Sequence, residues 1–120
     1  MNYVEIELGG KTRKLKFDYN ALCEVEAKAG KSVIQLMSAD NLGFGAVRAL
    51  LYGGLIWQDR GLTMDRLGQM LSEYMSNGGS LGDLMAKISE ALNASGLFGK
   101  PMQSDEAGDE SGGNVEGVLN

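Results

Sequence analysis

Polar and apolar positions alternate from Tyr3 to Phe17. Val4, Ile6 and Leu8 fall on one side of an extended chain and Glu5 and Glu7 on the other; beyond Gly9-Gly10, Arg13, Leu15 and Phe17 alternate with Lys14 and Lys16. The pattern predicts an antiparallel hairpin over residues 3–17. A four-residue loop, Gly9-Gly10-Lys11-Thr12, sets Ile6 opposite Leu15 and Val4 opposite Phe17, pairing apolar with apolar, and is the preferred register. A two-residue Gly9-Gly10 turn stays open as the alternative and pairs Ile6 with Arg13.

At Asp18 the period changes from two to about 3.6. Asp18 suits a helix N-cap, Leu22, Val25 and Ala29 follow at helical spacing, and Gly30 offers a left-handed stop, so the first helix is expected over about 19–29. Ser32 caps a short second helix through Val33, Ile34, Leu36 and Met37, closed by the polar Ser38-Ala39-Asp40-Asn41. From Phe44 to Trp57 apolar residues occupy nearly every side and Arg48 is the sole charge, the pattern of a central, buried helix. Gly53-Gly54 inside it implies either another backbone packed closely there or a local kink.

Thr63 caps a fourth helix with Asp65 in its first turn and an apolar stripe of Met64, Leu67, Met70, Leu71, Tyr74 and Met75, ended by Asn77-Gly78-Gly79. Ser80 and Asp83 open a fifth helix, whose buried face is expected to be Leu81, Leu84, Met85, Ile88 and Leu92 before Gly96. The fold class is therefore mainly α, about five short helices with an N-terminal β-hairpin. Residues 1–96 form the helical domain and 97–120 a Gly- and Ser-rich acidic tail, too poor in apolar residues to offset the entropy of ordering and so expected to be disordered.

Charge sharpens that division. Of the net −5, the tail carries −4, from Asp105, Glu106, Asp109, Glu110 and Glu116 against Lys100 alone, leaving −1 for the body. This balance argues against nucleic acid as a partner, because phosphate binding needs clustered Lys and Arg and no helix carries a basic row. Lys11, Arg13, Lys14 and Lys16 make the hairpin locally basic, with Glu5, Glu7 or the tail as their expected partners. No apolar run approaches the ~20 residues of a membrane span, and MNYVEIELGG lacks the layout of a signal peptide, so a cytoplasmic protein without membrane contact is expected.

Catalytic chemistry has little to work with. The chain has no His, which removes the usual proton carrier, a common zinc ligand and the partner of a Ser or Cys nucleophile. Cys23, the single cysteine, sits inside the first helix between Leu22 and Glu24 and reads as a structural thiol. Glu24 with Glu26, or Asp59 with Asp65, gathers no supporting cluster and reads as a solvated face; Glu26, at the edge of the stripe, also suits a helix-to-backbone or ion-pair role. Gly43-Phe44-Gly45 follows no strand, and Gly30-Lys31-Ser32 lacks the earlier glycine of a phosphate loop, position 25 being Val. Asp105, Asp109 and Glu116 do not follow calcium-loop spacing. No catalytic, cofactor or metal residues are assigned.

What remains is contact surface. Met37, Met64, Met70, Met75 and Met85 are adaptable side chains whose helical spacing places them first in the core. If a stripe is exposed, the fourth helix is the choice, with Met64, Leu67, Met70 and Tyr74 cradling a partner helix.

Two stretches carry a resemblance. Leu15-Lys16-Phe17-Asp18-Tyr19-Asn20-Ala21-Leu22-Cys23-Glu24-Val25-Glu26, followed by Gly30-Lys31-Ser32-Val33, resembles the opening of phage tail assembly chaperones and related gene-transfer-agent proteins. Val47-Arg48-Ala49-Leu50-Leu51-Tyr52-Gly53-Gly54-Leu55 and Leu62-Thr63-Met64-Asp65-Arg66-Leu67-Gly68-Gln69-Met70-Leu71 look like that family's next two helices, so the similarity covers about residues 4–92. The resemblance implies a chaperone of the infected cell's cytoplasm, absent from finished virions, that coats the tape measure protein and helps deliver tail tube subunits around it. Self-association is compatible with the same surfaces. Family members also occur in short and frameshift-extended forms, and the segment after Gly96 fits the end of a short one. The competing reading is a structural tail-tube or head–tail connection protein, which needs a permanent oligomeric interface.

Overall fold

A computed structural model of the chain describes residues 2–38 and 43–98. Two strands, β1 (Tyr3–Leu8) and β2 (Lys11–Lys16), precede five helices: α1 (Tyr19–Ala29), α2 (Val33–Ser38), α3 (Phe44–Leu55), α4 (Met64–Ser76) and α5 (Leu81–Ala94). The protein is thus mainly α with an N-terminal antiparallel hairpin. Of the polar stop expected over 38–41, Ser38 is the last residue of α2 and the rest, like most of the acidic tail, lies outside the described residues. Of the tail, Phe98 packs half-buried against the core, two residues beyond the limit expected at Gly96.

The hairpin takes the shorter turn. Val4 faces Leu15, Ile6 faces Arg13 and Leu8 faces Lys11, so the preferred four-residue loop is corrected to a two-residue turn at Gly9-Gly10. Both glycines have positive φ, 62° and 81°, the sense of turn whose twist matches that of the strands. The apolar pair that this register gives up is replaced by a buried cation. Arg13 is 2% exposed; its Nε donates to the Leu8 carbonyl at 2.9 Å, Nη1 to Asp59 Oδ2 at 3.2 Å and Nη2 lies 3.4 Å from Met70 Sδ. A guanidinium with its donors engaged can sit in a core where an unpaired one cannot.

Four of the five helix starts follow a capping side chain; α3 starts at Gly43 without one. Asp18 accepts from the Ala21 amide at 2.8 Å, Thr63 from Arg66 at 3.1 Å and Ser80 from Asp83 at 3.3 Å. Ser32 and Gln35 close a reciprocal box at α2, Gln35 N donating to Ser32 Oγ and Ser32 N to Gln35 Oε1. Gly30 ends α1 with φ 73°. Glu26 takes the helix-to-backbone role, accepting from the Val33 amide at 2.8 Å and so bringing negative charge to the start of α2. Glu26→Ala should therefore cost about 1 kcal/mol and speed amide hydrogen exchange at Val33 and along α2, with α3 to α5 unchanged. Unchanged exchange at Val33 would refute the tether.

Helix α3 is the centre of the fold, touching α1, β2, α4 and α5. Val47, Ala49, Leu50, Leu51 and Leu55 are buried, and Leu15, Phe17, Val25, Leu67, Leu84, Ile88 and Leu92 pack into the same core. The Gly53-Gly54 question resolves to close packing. A Cβ on Gly53 would strike Val25 Cγ2 and come within 2.8 Å of the Ala21 carbonyl oxygen; one on Gly54 would strike Leu15 Cδ1 and lie 3.0 Å from Phe17. Here α1 and β2 approach α3 more closely than any side chain allows.

Three expectations are corrected. Helix α3 ends at Leu55, so Trp57 lies outside it and is partly exposed, its Nε1 donating to the Lys14 carbonyl at 3.0 Å, while Gln58 Oε1 accepts from the Lys14 amide at 3.0 Å. At its other end Phe44 is 74% exposed rather than buried. Cys23 is exposed as well, because α1 turns Ala21 and Val25 inward.

Candidate functional site

The four residues expected to cradle a partner all face the body. Leu67 is fully buried and Met70 nearly so, with its sulfur beside Arg13. Tyr74 is half-buried and spent on the α4–α5 turn: its hydroxyl donates to the Ser80 carbonyl at 3.0 Å and accepts from the Ser80 amide at 3.2 Å, with the ring against Gly79. Met64 packs half-buried against the core. Leu67, Met70 and Tyr74 build the fold, and Leu67 and Met70 keep almost no surface for a partner.

The neighbouring column of the same helix lies open. Gly68, Leu71, Ser72 and Met75 of α4 form one wall of a groove of about 580 Å³, with Phe44, Val47 and Arg48 of α3 opposite and Leu81 of α5 at its end. Its lining is mostly apolar, and Phe44 and Met75, at 74% and 42% exposure, are among the large hydrophobic side chains that the described residues leave in water. A concave apolar site with few polar groups is the usual form of a binding cleft. The signal for it was present in the sequence: Met64 to Met75 contains two adjacent apolar columns, 67-70-74 and 64-71-75, more than one buried face of a helix uses. Gly68, in the second column, marks where a side chain from elsewhere crosses.

That side chain is Arg48. A Cβ on Gly68 would lie 3.1 Å from Arg48 Nη1, so the glycine makes room for the guanidinium across α4, where Nη1 donates to the Met64 carbonyl at 3.4 Å. Among the described residues the one cation paired with a carboxylate within 4.0 Å is Arg13, with Asp59. Arg48 therefore gives the groove half-buried positive charge without an acid beside it.

Elsewhere the pairing of the hairpin cations with Glu5 or Glu7 is corrected, while the alternative pairing with the acidic tail lies outside the described residues. Lys14 lies over the Tyr3 ring and Lys16 over the Trp57 ring, each 4.9 Å from the centroid, and Glu7 accepts from Thr12 rather than from a lysine. Of the carboxylates weighed for acid–base work, Glu26 holds Val33, Asp59 holds Arg13 and Asp65 lies in the first turn of α4. Among the described residues no group of three His, Cys, Asp or Glu is placed to hold a metal ion, and no helix is long and apolar enough to cross a membrane.

No family model, curated protein or solved structure matches the chain.

Proposed function

We propose that the protein is a tail assembly chaperone of a long-tailed phage, acting in the host cytoplasm by covering helical segments of the tape measure protein and helping tail tube subunits to reach it. The single observation that carries this reading is the open groove between α3, α4 and α5, with Phe44 and Met75 exposed at it. A long helical client has apolar stripes that aggregate when bare, and a groove with mobile methionine at its wall covers such stripes reversibly. The residue types lining the groove supply contacts. The family resemblance of residues 4–92 adds the identity of the client.

Co-expression of the chain with a tape measure protein encoded beside it tests the reading. The tape measure protein is expected to become soluble and to co-purify. Phe44→Ser and Met75→Asp, at exposed positions that leave the core intact, should each cut the recovered complex by about tenfold. A tape measure protein that stays insoluble while this chain alone forms rings or tubes would replace the chaperone with a structural virion component.

A further inference from the structure

The position of Arg48 says more about what the groove accepts. The guanidinium rests on Gly68 beside an apolar cleft that both residues line, half-buried, with no carboxylate within 4.0 Å among the described residues. Its bond to the Met64 carbonyl is long, 3.4 Å, and leaves most of its donors unused by the protein. The start of α3 adds to the same field. Its first turn contains Phe44 and Gly45 of the groove, its N-cap Gly43 makes no side-chain bond to the free amides, and it holds no acid, whereas the first turns of α4 and α5 carry Asp65 and Asp83. Helix N-termini favour negative charge, and this one faces the cleft without an acid of its own.

We propose that the groove selects an amphipathic helix of an outside partner whose apolar face carries one carboxylate, the apolar side chains lying against Leu71, Met75 and Phe44 and the carboxylate meeting Arg48. Charge complementarity decides this choice. A purely apolar stripe would bury the guanidinium unpaired, and a basic one would repel it, so the acid in the stripe is what separates the right helix from a merely greasy one. A fork-shaped donor also fixes the helix in register, because a bidentate Arg–carboxylate contact tolerates little sliding. The inference deepens the reading above and rests on it only in taking the groove as a binding surface.

The test is an NMR titration of the full chain with three synthetic helical peptides of about 16 residues. They share one apolar face and differ only at its central position, which is Glu, Gln or Lys. The Glu peptide is expected to bind about tenfold more tightly than the Gln peptide, shifting Leu71 and Met75 signals, with the Lys peptide weakest. Arg48→Gln should abolish the preference, and Arg48→Glu should invert it in favour of the Lys peptide, an outcome that misfolding cannot mimic. Equal affinity for the Glu and Gln peptides, absence of binding, or shifts remote from the groove would overturn the proposal. Groove shifts that grow with the protein's own concentration, without peptide, would assign the cleft to a second copy and also overturn it. Failure of the peptides alongside a solubilised tape measure protein refutes only this inference; success alongside an insoluble one refutes only the chaperone reading.

Discussion

Arg13→Ala should destabilise the protein by about 3 kcal/mol, read as a lower urea midpoint with an unchanged slope. Arg13 is 2% exposed and joins three parts of the chain: the end of β1 through the Leu8 carbonyl, the α3–α4 connection through Asp59, and α4 through Met70. Truncation leaves the Leu8 carbonyl and the Asp59 carboxylate without their donor and opens a space where the guanidinium lay. Asp59 is still 24% exposed and recovers some water, which keeps the cost at the lower end for a broken buried pair. Asp59→Asn should cost less, about 1 kcal/mol, because the amide oxygen can still accept from Arg13 Nη1 and keep the guanidinium bonded. Arg13→Lys should recover only part of the loss, because a single ammonium cannot reach Leu8 and Asp59 together. A cost below about 1 kcal/mol for Arg13→Ala would mean that the hairpin is held by its apolar face alone.

Gly53→Ala should also lower stability, by about 2 kcal/mol net, although alanine is the better helix former by about 1 kcal/mol. The new methyl would meet the Ala21 carbonyl oxygen at 2.8 Å and collide with Val25 Cγ2. A backbone carbonyl cannot rotate away as a side chain can, so α1 must shift bodily from α3. Gly45→Ala is the control in the same helix: its Cβ would meet nothing within 4 Å, and the substitution should stabilise by up to about 1 kcal/mol. Thermal midpoints moving in opposite directions for the two variants would establish that Gly53 is a packing residue. Midpoints rising together would show that α1 and α3 have slack between them.

The contrast between these residues explains what could be read from the chain beforehand. Helix starts were legible because their causes are local: Asp18, Ser32, Thr63 and Ser80 each cap a helix within three residues of themselves. The hairpin register was not, because pairing Ile6 with Arg13 looks unfavourable until Asp59 and Met70, 46 and 57 residues further along, arrive to receive the guanidinium. Gly53 posed two alternatives that only the path of α1 could separate. The groove was half legible: the apolar residues of α4 were identified, but which column turns inward depends on where α3 and the hairpin pack. Met64, Leu67, Met70 and Tyr74 were selected as the contact surface, and the described fold packs all four against its core, leaving Met75 exposed and Leu71 half-buried at the groove.

One pair of bonds made by the α3–α4 connection has a consequence for how the protein behaves in a crowded cell. A two-stranded sheet exposes two rows of unpaired amides and carbonyls, each a template on which another chain can add as a further strand. On β2 the middle of that row is Lys14, and both of its backbone groups are taken, the N–H by Gln58 and the C=O by Trp57. Sealed at that point, β2 offers no continuous ladder for β-augmentation or cross-β growth. For a chaperone of aggregation-prone clients, as proposed above, this closes the β2 edge of its own sheet to the client.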